Sequence, residues 1–511
     1  MITRRTLLST AAATPAAGVL PSLLLTATAQ AQTPRRGGTL NVGVVSDPVT
    51  LDPAFMASFF EVYVFGTLHD TLLRITPDLQ IEPGLATMTA VSSTVMRFDL
   101  RPNLKFHDDT PLDAAAVKWN FDRIMNPATA SLRRADLGPL TSVEVTGPLQ
   151  VTMTLSTPFA PFPHVMGARA GAMVSPTAAQ RLGANFGTQT VGCGPFRLVR
   201  WTKNSELVLE RFPGYWRPNQ PLLDSIVYRP IPDETVRLTN LRSGALQLID
   251  LVPPQAVAGL RGAANIALRE RPSIGWNAMS LNVTRAPFAD VKVRQALMYA
   301  VDRDAINRVV YFQTGTPAFG PIPPAFGWAY DAAFKPFAHD PARAQALLRE
   351  AGVSAPVPFS ITVTNSPLQI RLAQLIQAQA NQAGFRAEIR QIDATSLITV
   401  LRGKDFDIAW SPWSGRSDPD GNTFNMFTAG GPTNFTGYAS EKTTELLREA
   451  RVSSDQARRA QLYREVQQQL AADAPLLFFQ FDSIIQASSS RLRWTQYPDG
   501  GFALGDAWLD S

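Results

Sequence analysis

The chain has 511 residues, 45% of them hydrophobic, with 47 Lys and Arg against 42 Asp and Glu for a formal charge of +5. That much apolar material supports a large core, and the interspersed charges argue against a dedicated nucleic-acid surface. A single cysteine, Cys193, excludes a disulfide framework and a Cys-rich metal site, and the four histidines are scattered without ligand spacing.

At the amino terminus, Arg4 and Arg5 precede an Ala-rich apolar stretch free of acidic residues and ending in Ala29-Gln30-Ala31, a small-x-small cleavage pattern. Residues 1–31 therefore read as an export signal, of the twin-arginine type by its arginine pair, with an ordinary secretory leader as the other reading. Gln32 becomes the mature start, and the formal charge drops from +5 to +3 as the two arginines leave. Pro15, Gly18 and Pro21 interrupt the stretch and argue against a membrane anchor. Cys193 is far from the leader, so a lipid anchor on a mature amino-terminal cysteine is excluded, and the expectation is a soluble periplasmic protein.

The mature chain opens on a short strand, 39–44, followed by the turn-forming Ser46-Asp47-Pro48 and Leu51-Asp52-Pro53. Met96, Phe98 and Leu100 alternate on one face of a strand, which turns through His107-Asp108-Asp109. A helix follows from a cap at Asp113, with Val117, Phe121 and Ile124 on its apolar face. In the carboxyl half, Phe359, Ile361 and Val363 form a strand, and Ser366 and Pro367 are the cap and first position of a helix that stops near Gly384. A second strand holds Phe385, Ala387 and Ile389; a helix spans Leu397 to Leu401; a third strand holds Phe406, Ile408 and Trp410. Strand-helix-strand-helix-strand predicts a parallel sheet with right-handed crossovers. Ligands bind beyond the carboxyl ends of such strands, here Asn365-Ser366 and the segment from Trp410 to Asp420.

That second segment is a loop rich in Pro, Gly and Asp, yet it carries Trp413, Arg416, Asp418 and Asp420, groups suited to stacking and to pairing with carboxylates or ammonium groups. Turn capping around Pro419 would also account for the two aspartates. Trp410 continues the strand alternation and reads as core. The helix starting at Ser366 offers free amides to an anion, and Arg371 lies one turn in. Phe55, Phe59 and Phe60 form an aromatic run that lines either a core or a pocket.

The order of residue types from Met96 to Ile124, MRFDLRPNLKFHDDTPLDAAAVKWNFDRI, resembles the signature of the peptide- and nickel-type solute-binding proteins of ABC importers, family 5. The opening strand, Gly66–Arg74, Val191–Phe196, Arg211–Trp216 and Asp290–Arg303 resemble further family blocks in family order. Asp109 stands where the family usually has glycine, Ala116 where it has aspartate, and Cys193 where it has threonine.

The resemblance implies an α/β, two-lobed periplasmic-binding-protein fold of type II, in its large form with an extra inserted domain. One lobe would combine 32–74, 190–274 and 479–511, the inserted domain 75–189, and the second lobe 275–478. It implies a monomeric receptor that captures short peptides and delivers them to an inner-membrane ABC permease, without a cofactor. Opines, sugars and nickel or haem complexes are the ligand alternatives within the family. It also implies that Asp418, with Asp420 behind it, pairs with a peptide's amino terminus, and that Arg371 meets the carboxylate. No nucleophile elbow, zinc helix, phosphate loop or dinucleotide fingerprint occurs, so the chain reads as no enzyme; a secreted cofactor-dependent oxidoreductase is the alternative from another class.

Overall fold

The computed structural model describes residues 34–58 and 60–510. The export signal read at 1–31 lies outside them, as does Phe59.

The elements expected from periodicity form where the apolar residues fall. The strand Val95–Leu100 buries Met96, Phe98 and Leu100 and leaves the alternate positions half-covered. The Asp113 carboxylate accepts the Ala116 N–H at 2.9 Å and so caps the helix Ala114–Met125, whose Val117, Phe121 and Ile124 are buried. In the preceding turn, Asp109 takes a φ of 61°, the left-handed region that favours glycine.

In the carboxyl half the strands Val357–Thr364, Phe385–Ile392 and Ile408–Trp410 pair in parallel, with the first in the middle. The helices Pro367–Gln382 and Leu397–Gly403 make the crossovers. Gly384, at a φ of 95°, ends the first of them. Ser366 is its cap residue by position, although its hydroxyl makes no capping bond.

These strands belong to a larger sheet. Its path runs from Phe385–Ile392 through Val357–Thr364, Ile408–Trp410 and Asn277–Leu281 to the long strand Leu476–Ser489, and on through Leu248–Ile249, Thr39–Val44, Ser225–Pro230 and Glu206–Arg211 to Phe196–Thr202. The long strand is the link. Its first part pairs with Asn277–Leu281 and its second with Ile266–Pro272 and Leu248–Ile249. A separate antiparallel sheet is built from Ala86–Ala90, Val95–Leu100, Gln150–Leu155 and Leu140–Gly147, in that spatial order.

The buried side chains gather along the same divisions. One core joins Leu40, Tyr63, Phe196 and Ile226 to Trp494 and Phe502. A second lies between Leu72 and Cys193 in the chain and packs the antiparallel sheet on its helix. Two more lie between Ile274 and Phe481. Trp410 is in one of them, 7% exposed and tilted against Phe479. No helix of the described residues is long and apolar enough to cross a membrane.

Candidate functional site

One cavity encloses about 230 Å³, and its wall comes from segments far apart in the chain. One side is residues 66–76 with the loops at 215–220 and 497–506; another is 133–136 and 167–169; the third is Ile274 with the loop 414–417. After the long strand Leu476–Ser489 the chain runs through the short strand Leu492–Arg493 and then brings Tyr497 and Asp499 to the wall.

Five arginines line this cavity: Arg74, 3.8 Å from Glu82, Arg217, stacked over the Trp216 ring at 4.8 Å, and the group Arg133, Arg169 and Arg416. Arg133 is buried and donates from Nη1 to Asp136 Oδ2 at 2.7 Å, while its Nε, also buried, has no acceptor among the described residues. Arg169 reaches only the Ser58 carbonyl, at 3.4 Å. Burial, with the positive charges of Arg133 and Arg416 beside it, brings Arg169 down to about 10, so it stays charged at neutral pH. Arg416 lies over the Trp413 ring at 4.7 Å and donates to its own loop, at Gly415 O. Burial lowers it too, Asp136 opposing this and Arg133 adding to it.

The acidic groups in the wall are Asp70, Asp136, Asp499 and Asp506. Asp70 accepts the Trp216 indole N–H and is raised by burial. Asp499 accepts the Gly501 N–H at 2.9 Å and is likewise raised by burial, with Arg169 acting in the opposite direction. Tyr215, Tyr497 and Phe502 supply aromatic surface.

The loop 410–421 has the shape that its glycines allow. Gly415 has a φ of 85°, and a Cβ there would meet the Ile274 carbonyl at 2.2 Å. Trp413 exchanges backbone hydrogen bonds with Trp276, and its indole donates to Asn422 Oδ1 at 3.0 Å. Arg416 and Ser417 therefore enter the cavity wall, while Trp413 lies beneath Arg416 and outside the wall.

Asp418 and Asp420 face the other way. Asp418 is 4% exposed and takes two hydrogen bonds from Arg459, Nη1 at 2.9 Å and Nη2 at 2.6 Å. Burial pushes its carboxyl up, but Arg459 outweighs that and holds it below the ordinary range. Asp420, also 4% exposed, is gripped by Arg451 at 2.9 and 2.7 Å, although burial still leaves it raised. The expected direct pairing of these carboxylates with a ligand ammonium is thus not what their placement offers: internal arginines already hold them. Sequence order could not reveal this, because Arg451 and Arg459 lie on helices more than thirty positions downstream.

Asn365, Ser366 and Arg371 stand outside the cavity wall, with Asn365 and Arg371 exposed to solvent. The Gln369 side chain has turned back to accept from the Thr364 N–H and hydroxyl. Phe55 and Phe60 are not in the wall either; Phe60 packs beside the core of Leu40 and Tyr63. Arg133, Arg169 and Asp499 are among the charged wall residues that reading the chain missed, with Arg74, Arg217 and Asp70. Among the described residues, no group of three or more His, Cys, Asp or Glu is placed to hold a metal ion.

A family model described as bacterial extracellular solute-binding proteins, family 5, matches residues 80–435. The chain belongs to that family. It is 32% identical over 485 residues to the glutathione-binding protein GsiB of Shigella flexneri serotype 5b, covering 92% of this chain and 94% of the relative, and it matches the Escherichia coli K12 protein of the same name equally. Among solved structures, the periplasmic binding protein DppA of Helicobacter pylori, in complex with the peptide STSA, superposes with a TM-score of 0.83 at 25% identity, covering 93% of this chain and 99% of that one. AgaA of A. tumefaciens R10, in complex with agropinic acid, has a TM-score of 0.81 at 26% identity, with 93% of this chain covered and 99% of that one. The architecture is thus the two-lobed α/β fold of periplasmic peptide-binding proteins, and the relatives are solute-binding proteins, not enzymes.

Proposed function

We propose that this solute-binding receptor captures short peptides in the cavity above and hands them, as an exported periplasmic monomer, to an ABC permease in the inner membrane. The observation that carries this reading is the make-up of the cavity wall. Loops from opposite parts of the chain, 414–417 and 497–506, bring guanidinium and carboxylate groups to one space. A peptide has a carboxylate at one end and an ammonium at the other, so it can engage both kinds of group at once. Two relatives support the same class of ligand: one is named for glutathione, and one is bound to a tetrapeptide.

In this reading the lobes follow 32–74 with 190–274 and 479–511, and 275–478, with 75–189 inserted. Closure follows if the ligand binds the closed arrangement better than the open one. Asp499 is the partner for the peptide ammonium, since it is the wall carboxylate beside Arg169 and has no guanidinium hydrogen-bonded to it among the described residues. Asp418 instead anchors, through Arg459, the loop that carries Arg416.

Thermal unfolding of the ligand-stripped protein tests this. Free di- and tripeptides should raise the midpoint, by RT ln(1 + [L]/Kd) in free energy, and their amino-terminally acetylated forms should raise it less. A rise with oligosaccharides, opines or nickel chelates, and none with any peptide, would contradict it.

A further inference from the structure

The cavity wall carries five arginines and four aspartates, and three of the arginines crowd one part of it. Arg133, Arg169 and Arg416 are close enough to act on one another electrostatically, apart from Arg74 and Arg217, and Asp136 forms an ion pair with one of them, Arg133. Arg169 and Arg416 form no salt bridge among the described residues, and each guanidinium makes its only hydrogen bond there to a backbone carbonyl. A guanidinium has five N–H donors in a rigid fork. Most of the donors in this group are therefore unassigned, including the buried Nε of Arg133. Crowding like charges into a partly dry space is unfavourable unless something anionic completes it.

We propose that Arg133, Arg169 and Arg416 form one site for two carboxylates, so that the preferred ligand is a short acidic peptide bearing a second free carboxylate besides its carboxyl-terminal one. This rests on the peptide-receptor reading and narrows it. The three side chains come from three separate segments, and Arg416 is held in place by the Trp413 ring beneath it. A bidentate carboxylate on Arg169 and another on Arg416 would neutralise the two cations of this cluster that lack an ion pair among the described residues. The peptide ammonium then falls to Asp499, within electrostatic reach of Arg169. A peptide with neutral side chains brings one carboxylate only and leaves a half-buried guanidinium without a counter-charge, a deficiency of the kind that discriminates between ligands.

Calorimetric titration of the ligand-stripped protein with glutathione, Ala-Glu-Ala, Ala-Ala-Ala and glutarate tests this. The first two should bind at least about tenfold tighter than Ala-Ala-Ala, and that preference should collapse in Arg169→Gln and in Arg416→Gln. The wild-type comparison does not depend on any variant folding. Arg169→Lys adds a check that keeps the charge but not the fork, and it should lose part of the preference. Equal affinity for acidic and neutral peptides, or a preference that survives both glutamine variants, would overturn the two-carboxylate site while leaving the peptide receptor standing. Binding of glutarate alone, abolished by the variants, would uphold the site and overturn the peptide reading. Binding of none of the four would overturn both.

Discussion

Asp418 and Arg459 illustrate how much at the residue scale depends on a partner remote in sequence. Both are buried, and the carboxylate is bound at two points. Removing one member of such a pair leaves an uncompensated charge and costs roughly 3–5 kcal/mol. Asp418→Ala should therefore lower unfolding stability by about that much in urea titration, a larger effect than expected of an exposed ligand-pairing residue. Two buried histidines predict a pH dependence. His107 accepts the Gly192 N–H at Nδ1, which places its proton on Nε2 facing Gly194 O, and burial lowers it to about 3. Burial likewise lowers His69 to about 4. Unfolding lets both rise toward 6.5, so the unfolded chain binds more protons between those limits, and their contribution to stability is full above about pH 6.5 and lost as pH falls. Asp250 and Asp482, raised by burial to about 6, act oppositely: the folded chain holds their protons between about pH 4 and 6, and they favour folding as pH drops through 6. His107→Gln should therefore reduce the loss of stability between pH 6.5 and 5 by up to about 1.4 kcal/mol per pH unit, read by urea titration across that range.

Elements with a strong local pattern were legible in the sequence. The alternation at 96–100, the Asp113 cap, the Pro367 helix start and the parallel strands of the carboxyl half all form as periodicity and capping chemistry require. Asp113→Ala should cost about 1 kcal/mol in thermal unfolding, the usual value of a capping carboxylate. The site was legible only in part. The loop at 410–421 stood out by composition, and Arg416 does line the cavity, but Asp418, Asp420 and Trp413 turn inward because a loop's local chemistry does not encode which side chain faces out. Arg133, Arg169 and Asp499 sit in short turns with no periodic or motif signal, and only the tertiary fold makes them neighbours. Gly415 is the hinge point of that loop's geometry, with a positive φ and a carbonyl in the space a Cβ would need. Gly415→Ala should displace Arg416, weakening peptide binding by about tenfold or more with the overall fold retained by circular dichroism.

At the scale of the whole molecule, one strand, Leu476–Ser489, joins the carboxyl-half sheet to the strands of the mature amino terminus, and the cavity opens where the segments around it meet. A receptor built this way holds its solute by contacts on both sides, and the ligand's preference for the closed arrangement drives closure. Contacts on one side only would give binding without closure. Amide hydrogen exchange of the ligand-stripped protein with and without a saturating tripeptide tests this most directly. Slower exchange is expected, at the same peptide concentration, in both the 414–422 loop and the 497–503 loop. Protection confined to one of these loops, or appearing only elsewhere in the chain, would contradict it.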